Sequence, residues 1–164
     1  MTEIRQELLN LIALNNAEQW VPEHIAYQQL LDRYGDRLIP ELIECLGDDD
    51  AEVRRLAINL LDEAGLAAAP ALPAVIQMIA NPDRLVGVAA AHCLEKFGHQ
   101  AVDALRLLLP WLQDEHEYIR VLAAFTILKL DPTKRDELMP IVRSARGSEN
   151  RMVQGMAEEF LNEQ

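Results

Sequence analysis

The chain has 164 residues and a net charge of −12, from 27 acidic residues against 15 Lys and Arg. Half of its residues are apolar and only 5% are aromatic, which is typical of an ordered helical protein rather than of a disordered segment. The acidic composition opposes binding to nucleic acid and to anionic membranes, because both attract proteins through Lys and Arg. At this length a single domain is expected.

The N-terminal stretch predicts two helices, at about residues 3–14 and 22–34. Their apolar residues recur at helical spacing but do not align with the repeated apolar positions found further along the chain. Residues 1–35 therefore predict an N-terminal helical cap. Charges are interleaved with the apolar residues, and no signal peptide is predicted. The longest uncharged segment is broken by Pro70 and Pro73 and is too weakly hydrophobic for a membrane span. We expect a soluble, cytoplasmic protein.

From residue 36 onward the chain repeats itself about every 33 residues. The segments DDDAEVRRLAINLL, NPDRLVGVAAAHCL and DEHEYIRVLAAFTI begin at residues 48, 81 and 114, and a weaker copy, SENRMVQGMAEEFL, begins at 148. Apolar residues recur in them at spacings of three and four, which predicts a helix with one buried face. A preceding helix is predicted in each copy, at 38–46, 71–79, 104–112 and 137–145. Four such helix pairs, with no strand, are typical of a repeat protein.

Capping residues are predicted at the ends of the second helices. Asp50 and Asp83 stand just before these helices, where a carboxylate accepts hydrogen bonds from free backbone N–H groups. Gly65 and Gly98 follow them and are typical of helix C-termini. The unit is therefore helix, short acidic turn, helix and short linker.

The pattern D50-x-x-V53-R54-x-x-A57, repeated as H116-x-x-I119-R120-x-x-A123, resembles the short bacterial HEAT repeat, also called PBS-lyase-like. The resemblance covers about residues 36–162. It implies an all-α fold, a right-handed, armadillo-like α-solenoid (α-α superhelix) whose second helices line a concave surface. It also implies an Asp–Arg ladder between repeats, expected here around Asp50, Arg54 and Arg120, since Gly87 replaces the arginine in the second copy.

The helix face opposite the buried column predicts a binding site on that concave surface. Several of its residues in the second and third copies are apolar, and an exposed apolar patch marks an interaction surface. The predicted binding residues are Arg55, Val88, His92, Val121, Phe125 and Leu128. The predicted acidic rim consists of Asp62, Glu95, Glu158 and Glu159. The competing interpretation is that the apolar side chains are buried between neighbouring helices.

These features predict a non-enzymatic adaptor that binds a protein or peptide with a basic surface, or an immunity-type inhibitor that covers a basic toxin. The alternative implied by the resemblance is a phycobilin lyase-like subunit that handles a linear tetrapyrrole. A designed scaffold without a natural ligand is disfavoured by the irregular columns. No nucleic-acid or membrane partner is expected.

No catalytic or metal-binding constellation is predicted, and no cofactor is expected. Cys45 and Cys93 fall at apolar-patterned positions and are interpreted as reduced core thiols. One stretch before the last helix is locally basic, with Lys129, Lys134, Arg135, Arg143, Arg146 and Arg151. Acidic residues are interleaved with these cations, so the stretch is interpreted as a mixed solvated surface.

Overall fold

A computed structural model of the chain describes residues 2–19 and 21–162, and within these ranges it contains helices and no strand. The two N-terminal helices are α1 (Glu3–Asn16) and α2 (Glu23–Tyr34). They are followed by α3 (Leu38–Cys45), α4 (Ala51–Ala64), α5 (Leu72–Met78), α6 (Arg84–Glu95), α7 (Leu105–Leu108), α8 (Glu117–Leu130), α9 (Arg135–Ala145) and α10 (Arg151–Asn162). Met1, Trp20, Glu163 and Gln164, which belong to the predicted cap and last repeat, lie outside the described residues.

The predicted ends of the second helices are confirmed. Asp50 is the N-cap of α4, where its carboxylate accepts a hydrogen bond from the N–H of Glu52 at 2.9 Å. Asp83 caps α6 in the same way, accepting from Leu85 at 2.9 Å. Gly65 and Gly98 have φ of +56° and +50°, a left-handed conformation that side chains with a Cβ rarely adopt.

The first helix of the third pair departs from its prediction. Residues 104–112 were expected to form one helix, but α7 ends at Leu108 and a 3₁₀ segment, Leu109–Gln113, continues from it. Pro110 has no N–H to donate to the carbonyl of Arg106, so the α-helical hydrogen bond between these two residues is missing where α7 gives way to the 3₁₀ segment. This hairpin consequently has the shortest first helix of the four.

Contacts between Cα atoms divide the chain into two compact units, Met1–Phe97 and Gly98–Gln164. In the first unit α4 is central, because α1, α2, α3 and α6 all pack against it. Its core includes Leu8 of α1, Leu38 of α3, Leu60 of α4 and Leu94 of α6, which are completely buried. Both N-terminal helices thus pack against α4, and their role as the cap of the repeats remains a prediction.

In the second unit α8 is central. The 3₁₀ segments on either side of it, α9 and α10 all pack against this helix. Eight consecutive residues, 121–128, are buried, and Leu122, Ile127 and Leu108 are fully enclosed. The organisation of both units into a single domain remains a prediction.

Candidate functional site

The three apolar residues predicted as anchors on α8 are core residues of the second unit. Val121, Phe125 and Leu128 have only 2%, 5% and 6% of their surfaces exposed. The expectation that they form an exposed apolar patch is therefore wrong. The interpretation that neighbouring helices bury them is the one that the structure supports.

For Phe125 the covering neighbour is the last helix. Phe160 of α10 stacks on Phe125 with ring centroids 4.7 Å apart and nearly parallel ring planes. Lys129 places its ammonium 5.6 Å from the centre of the Phe160 ring. The weak fourth copy thus supplies the aromatic ring that covers Phe125.

Two acidic residues of the predicted rim, Glu158 and Glu159, are exposed on α10. They precede Phe160, whose side chain turns into the core. They lie at the surface as expected, but the apolar residues that they were expected to flank are covered. In this unit the predicted combination of apolar centre and acidic rim is not present.

The first unit brings the other predicted residues together on two neighbouring helices. Lys96, at the end of α6, donates hydrogen bonds to the carbonyl and carboxylate oxygens of Asp62 on α4, at 2.7 and 2.9 Å. Because these partners are 34 residues apart in a 33-residue repeat, α4 and α6 lie side by side in register. The repeat makes three pairs of positions equivalent on the two helices: Arg55 and Val88, Asn59 and His92, and Asp62 and Glu95. We call these six residues the α4–α6 face.

All six residues of the α4–α6 face are at least partly exposed, and His92 is the most exposed of them, with 44% of its side chain accessible. The residues beneath the α4–α6 face are apolar, because Ile58 and Ala91 are completely buried between the helices. The burial of Ile58 and Ala91 leaves only part of this surface of the two helices accessible. What remains is a polar surface with one aliphatic side chain, Val88.

The charges of the α4–α6 face are partly compensated. Arg55 pairs with Glu52 one turn earlier at 2.6 Å, and Asp62 pairs with Lys96. Burial lowers the pKa of His92, although the nearby Asp62 carboxylate acts in the opposite direction. The ring is therefore neutral at pH 7, and its 3.8 Å approach to Glu95 is not an ion pair there.

Arginines hold the first and third turns between paired helices, in a pattern that differs from the expected ladder. Arg54 donates to the carbonyls of Asp48 and Asp49 at 2.6 and 3.0 Å, and it reaches the side chain of Asn81 in the next repeat at 3.4 Å. Arg120 holds the third turn in the same manner. The expected partner Asp50 instead uses its carboxylate to cap α4.

Sequence reasoning missed the acceptor column of this ladder. Asp48, Asn81, Asp114 and Ser148 recur at steps of 33, 33 and 34 residues, and each accepts a backbone N–H two residues later. Asp48 also accepts two hydrogen bonds from Arg5 of α1, one of them at 3.1 Å. The spacing alone was enough to identify this column, since each copy begins with it.

No group of three or more His, Cys, Asp or Glu side chains in the described ranges is arranged to hold a metal ion. Cys45 and Cys93 are free and buried, and burial raises the pKa of their thiols to about 11 and about 12. Such thiols are protonated at neutral pH and are poor nucleophiles. Among residues 2–19 and 21–162, no helix is long and apolar enough to cross a membrane.

The family model for HEAT repeats matches residues 39–120, which is half of the chain. Among solved structures, the crystal structure of an engineered protein is similar, with a TM-score of 0.58 and 19% sequence identity over 86% of this chain. The chain spans 66% of that protein, just under two thirds, and the likeness shows the fold alone. No curated protein matches. The expected fold class, all-α with HEAT-like hairpins as in an α-solenoid, is confirmed.

Proposed function

Because this chain belongs to the HEAT-repeat family, we propose that it is a non-enzymatic adaptor that binds the basic surface of a protein partner on its α4–α6 face. HEAT repeats are generally protein-interaction scaffolds, and the family is typically non-enzymatic. The proposal places the site on the first unit alone.

The observation that carries the proposal is the contrast in exposure between the two halves of the predicted site. Val88, His92 and Glu95 of the first unit are accessible to a partner, whereas Val121, Phe125 and Leu128 are enclosed. An interface needs side chains that a partner can cover. The α4–α6 face meets that requirement, with Val88 as its apolar contact and polar side chains around it.

The charge of the first unit supports a basic partner. Residues 1–97 contain sixteen Asp and Glu against seven Lys and Arg, a net charge of −9. Residues 98–164 contain eleven against eight, a net charge of −3. A concentrated negative field attracts a basic protein and raises its association rate, an effect that salt weakens.

The test is capture of partners from native lysate by the wild type and by two charge-matched variants. Val88→Arg with His92→Arg adds positive charge to the α4–α6 face. Leu66→Arg with His24→Arg makes the same two kinds of replacement at exposed positions of the same unit.

A basic partner that is retained by the wild type and the control variant, but lost by the face variant, supports the proposal. The identity of that partner then distinguishes an adaptor from an inhibitor of a toxin. Equal retention by all three proteins contradicts the proposed location of the site. Melting curves of the three proteins exclude loss of fold as the cause.

A further inference from the structure

Three exposed arginines of the second unit lie at the end of α9 and the start of α10. Arg143 lies in α9, Arg146 is the C-cap of α9, and Arg151 is the first residue of α10. All three are exposed. We call them the α9–α10 arginine patch.

Most other cations are engaged by groups of this same chain. Arg5, Arg33, Arg55, Lys96 and Lys134 form ion pairs with carboxylates. Arg54 and Arg120 hold turns, and Lys129 lies over Phe160. The basic stretch seen in the sequence therefore divides in two. Its first half is engaged, whereas Arg143, Arg146 and Arg151 form no ion pair within the described ranges.

The lack of pairing in the patch is informative because acids outnumber bases almost two to one in this chain. In such a sequence an exposed arginine readily finds a carboxylate, yet the only acid between Arg143 and Arg151 is Glu149. Residues 143–151 thus carry three cations against one acid in a chain whose net charge is −12. The guanidinium groups of the patch are free to make paired hydrogen bonds to carboxylates of another molecule.

The turn that carries the patch is well ordered by hydrogen bonds. The N–H groups of Gly147 and Ser148 donate to the carbonyls of Ser144 and Ala145. The Ser148 hydroxyl donates to Glu117 of α8 at 2.6 Å. A fixed turn presents the arginines with little loss of backbone freedom on binding.

One exposed apolar residue is adjacent to the last of these arginines in the sequence. Met152 follows Arg151 and has 64% of its surface exposed. An adaptable thioether beside cations suits a ligand that has an apolar side chain among acidic ones.

We propose that the α9–α10 arginine patch, with Met152, is a second interaction surface that binds an acidic segment of a protein partner. Charge complementarity selects the occupant. A nucleic acid is longer than the patch, so its phosphates outside the patch would be repelled by the acidic remainder of the chain, whose net charge is −12. A short acidic peptide contacts the patch alone. Together with the proposed α4–α6 face, the chain would bind a basic partner on one surface and an acidic partner on the other. The two proposals do not depend on each other.

The test uses a short fluorescein-labelled peptide, rich in glutamate with a single leucine, and measures its fluorescence anisotropy at low salt. The patch variant is Arg143→Ala with Arg146→Ala and Arg151→Ala. The matched control is Arg33→Ala with Arg37→Ala and Arg84→Ala, which removes the same charge from exposed positions of the first unit. A single-stranded oligonucleotide of equal charge replaces the peptide in a parallel titration.

We expect the wild type and the control to bind the peptide. The affinity of the patch variant for the peptide is expected to be lower by a factor of about ten or more. Failure of the wild type to bind overturns the proposal, as does an equal loss in patch and control variants. Tighter binding of the oligonucleotide than of the peptide also overturns it, in favour of a nucleic-acid ligand. A peptide with lysine in place of glutamate must not bind the wild type more tightly than it binds the patch variant.

Discussion

The second helices α6 and α8 occupy equivalent places in consecutive repeats, yet only one of them keeps a side at the surface. In α6, Val88 and His92 remain accessible. In α8 the equivalent residues, Val121 and Phe125, are buried. The difference lies in the neighbours: α10 places Phe160 directly over Phe125. A helix that is apolar on all sides is a buried helix, and the continuous apolar run of α8 is a core signal rather than a docking signal.

The largest expected effect comes from removing that cover. Phe160→Ala is expected to lower the free energy of unfolding by about 3–5 kcal/mol, because it leaves a cavity over α8. Met152→Ala, on the same helix but 64% exposed, is expected to change it by no more than about 0.5 kcal/mol. Urea denaturation measures both. Similar losses in the two variants would show that α10 does not cover α8.

A smaller loss is expected from the first turn. Arg54→Ala removes hydrogen bonds to two backbone carbonyls and to Asn81 in the next repeat. We expect a loss of about 1–2 kcal/mol, since part-buried carbonyls lose a charged donor. Arg55→Ala on the same helix removes only a surface pair with Glu52 and serves as the control in the same denaturation experiment. Equal losses would contradict the structural role of Arg54.

The helices were predictable because the repeat gave several consistent signals at each boundary. Asp50, Asp83 and Gly65 lie where the caps and ends were expected. The acceptor at Asp48 was missed because the resemblance assigned the Asp–Arg ladder to Asp50, whose carboxylate caps α4 instead. The site was misplaced because burial of Phe125 depends on Phe160, a residue of another repeat that helical periodicity does not relate to it.

The contact between Arg5 and Asp48 is expected to make stability depend on pH. The hydrogen bond from Arg5 holds the pKa of Asp48 below its ordinary value. The contact therefore stabilises the fold fully above the unfolded-state pKa, about 3.9, and this contribution is lost as the pH falls through the lower folded-state pKa. In urea titrations the wild type should exceed Asp48→Asn in stability at neutral pH, and the difference should shrink in acid. A difference that stays constant with pH would show that the charge of Asp48 does not contribute.

The smallest effect is expected on the α4–α6 face itself. His92→Ala removes an exposed ring that is neutral at pH 7, so the free energy of unfolding should change by less than about 0.5 kcal/mol. Thermal melting at pH 7 measures the change. A loss comparable to that of Phe160→Ala would mean that the face is part of the core and not a surface.

The most direct test of this contrast is a pair of equivalent substitutions, Val88→Asp in α6 and Phe125→Asp in α8, compared by urea denaturation. A buried carboxylate without a partner is costly, whereas a partly exposed one stays hydrated. We expect Val88→Asp to keep a cooperative urea transition with a midpoint close to that of the wild type. We expect Phe125→Asp to lose most of its free energy of unfolding. A stable Phe125→Asp protein beside a strongly destabilised Val88→Asp protein would contradict these expectations, because the accessible surface would then lie on α8.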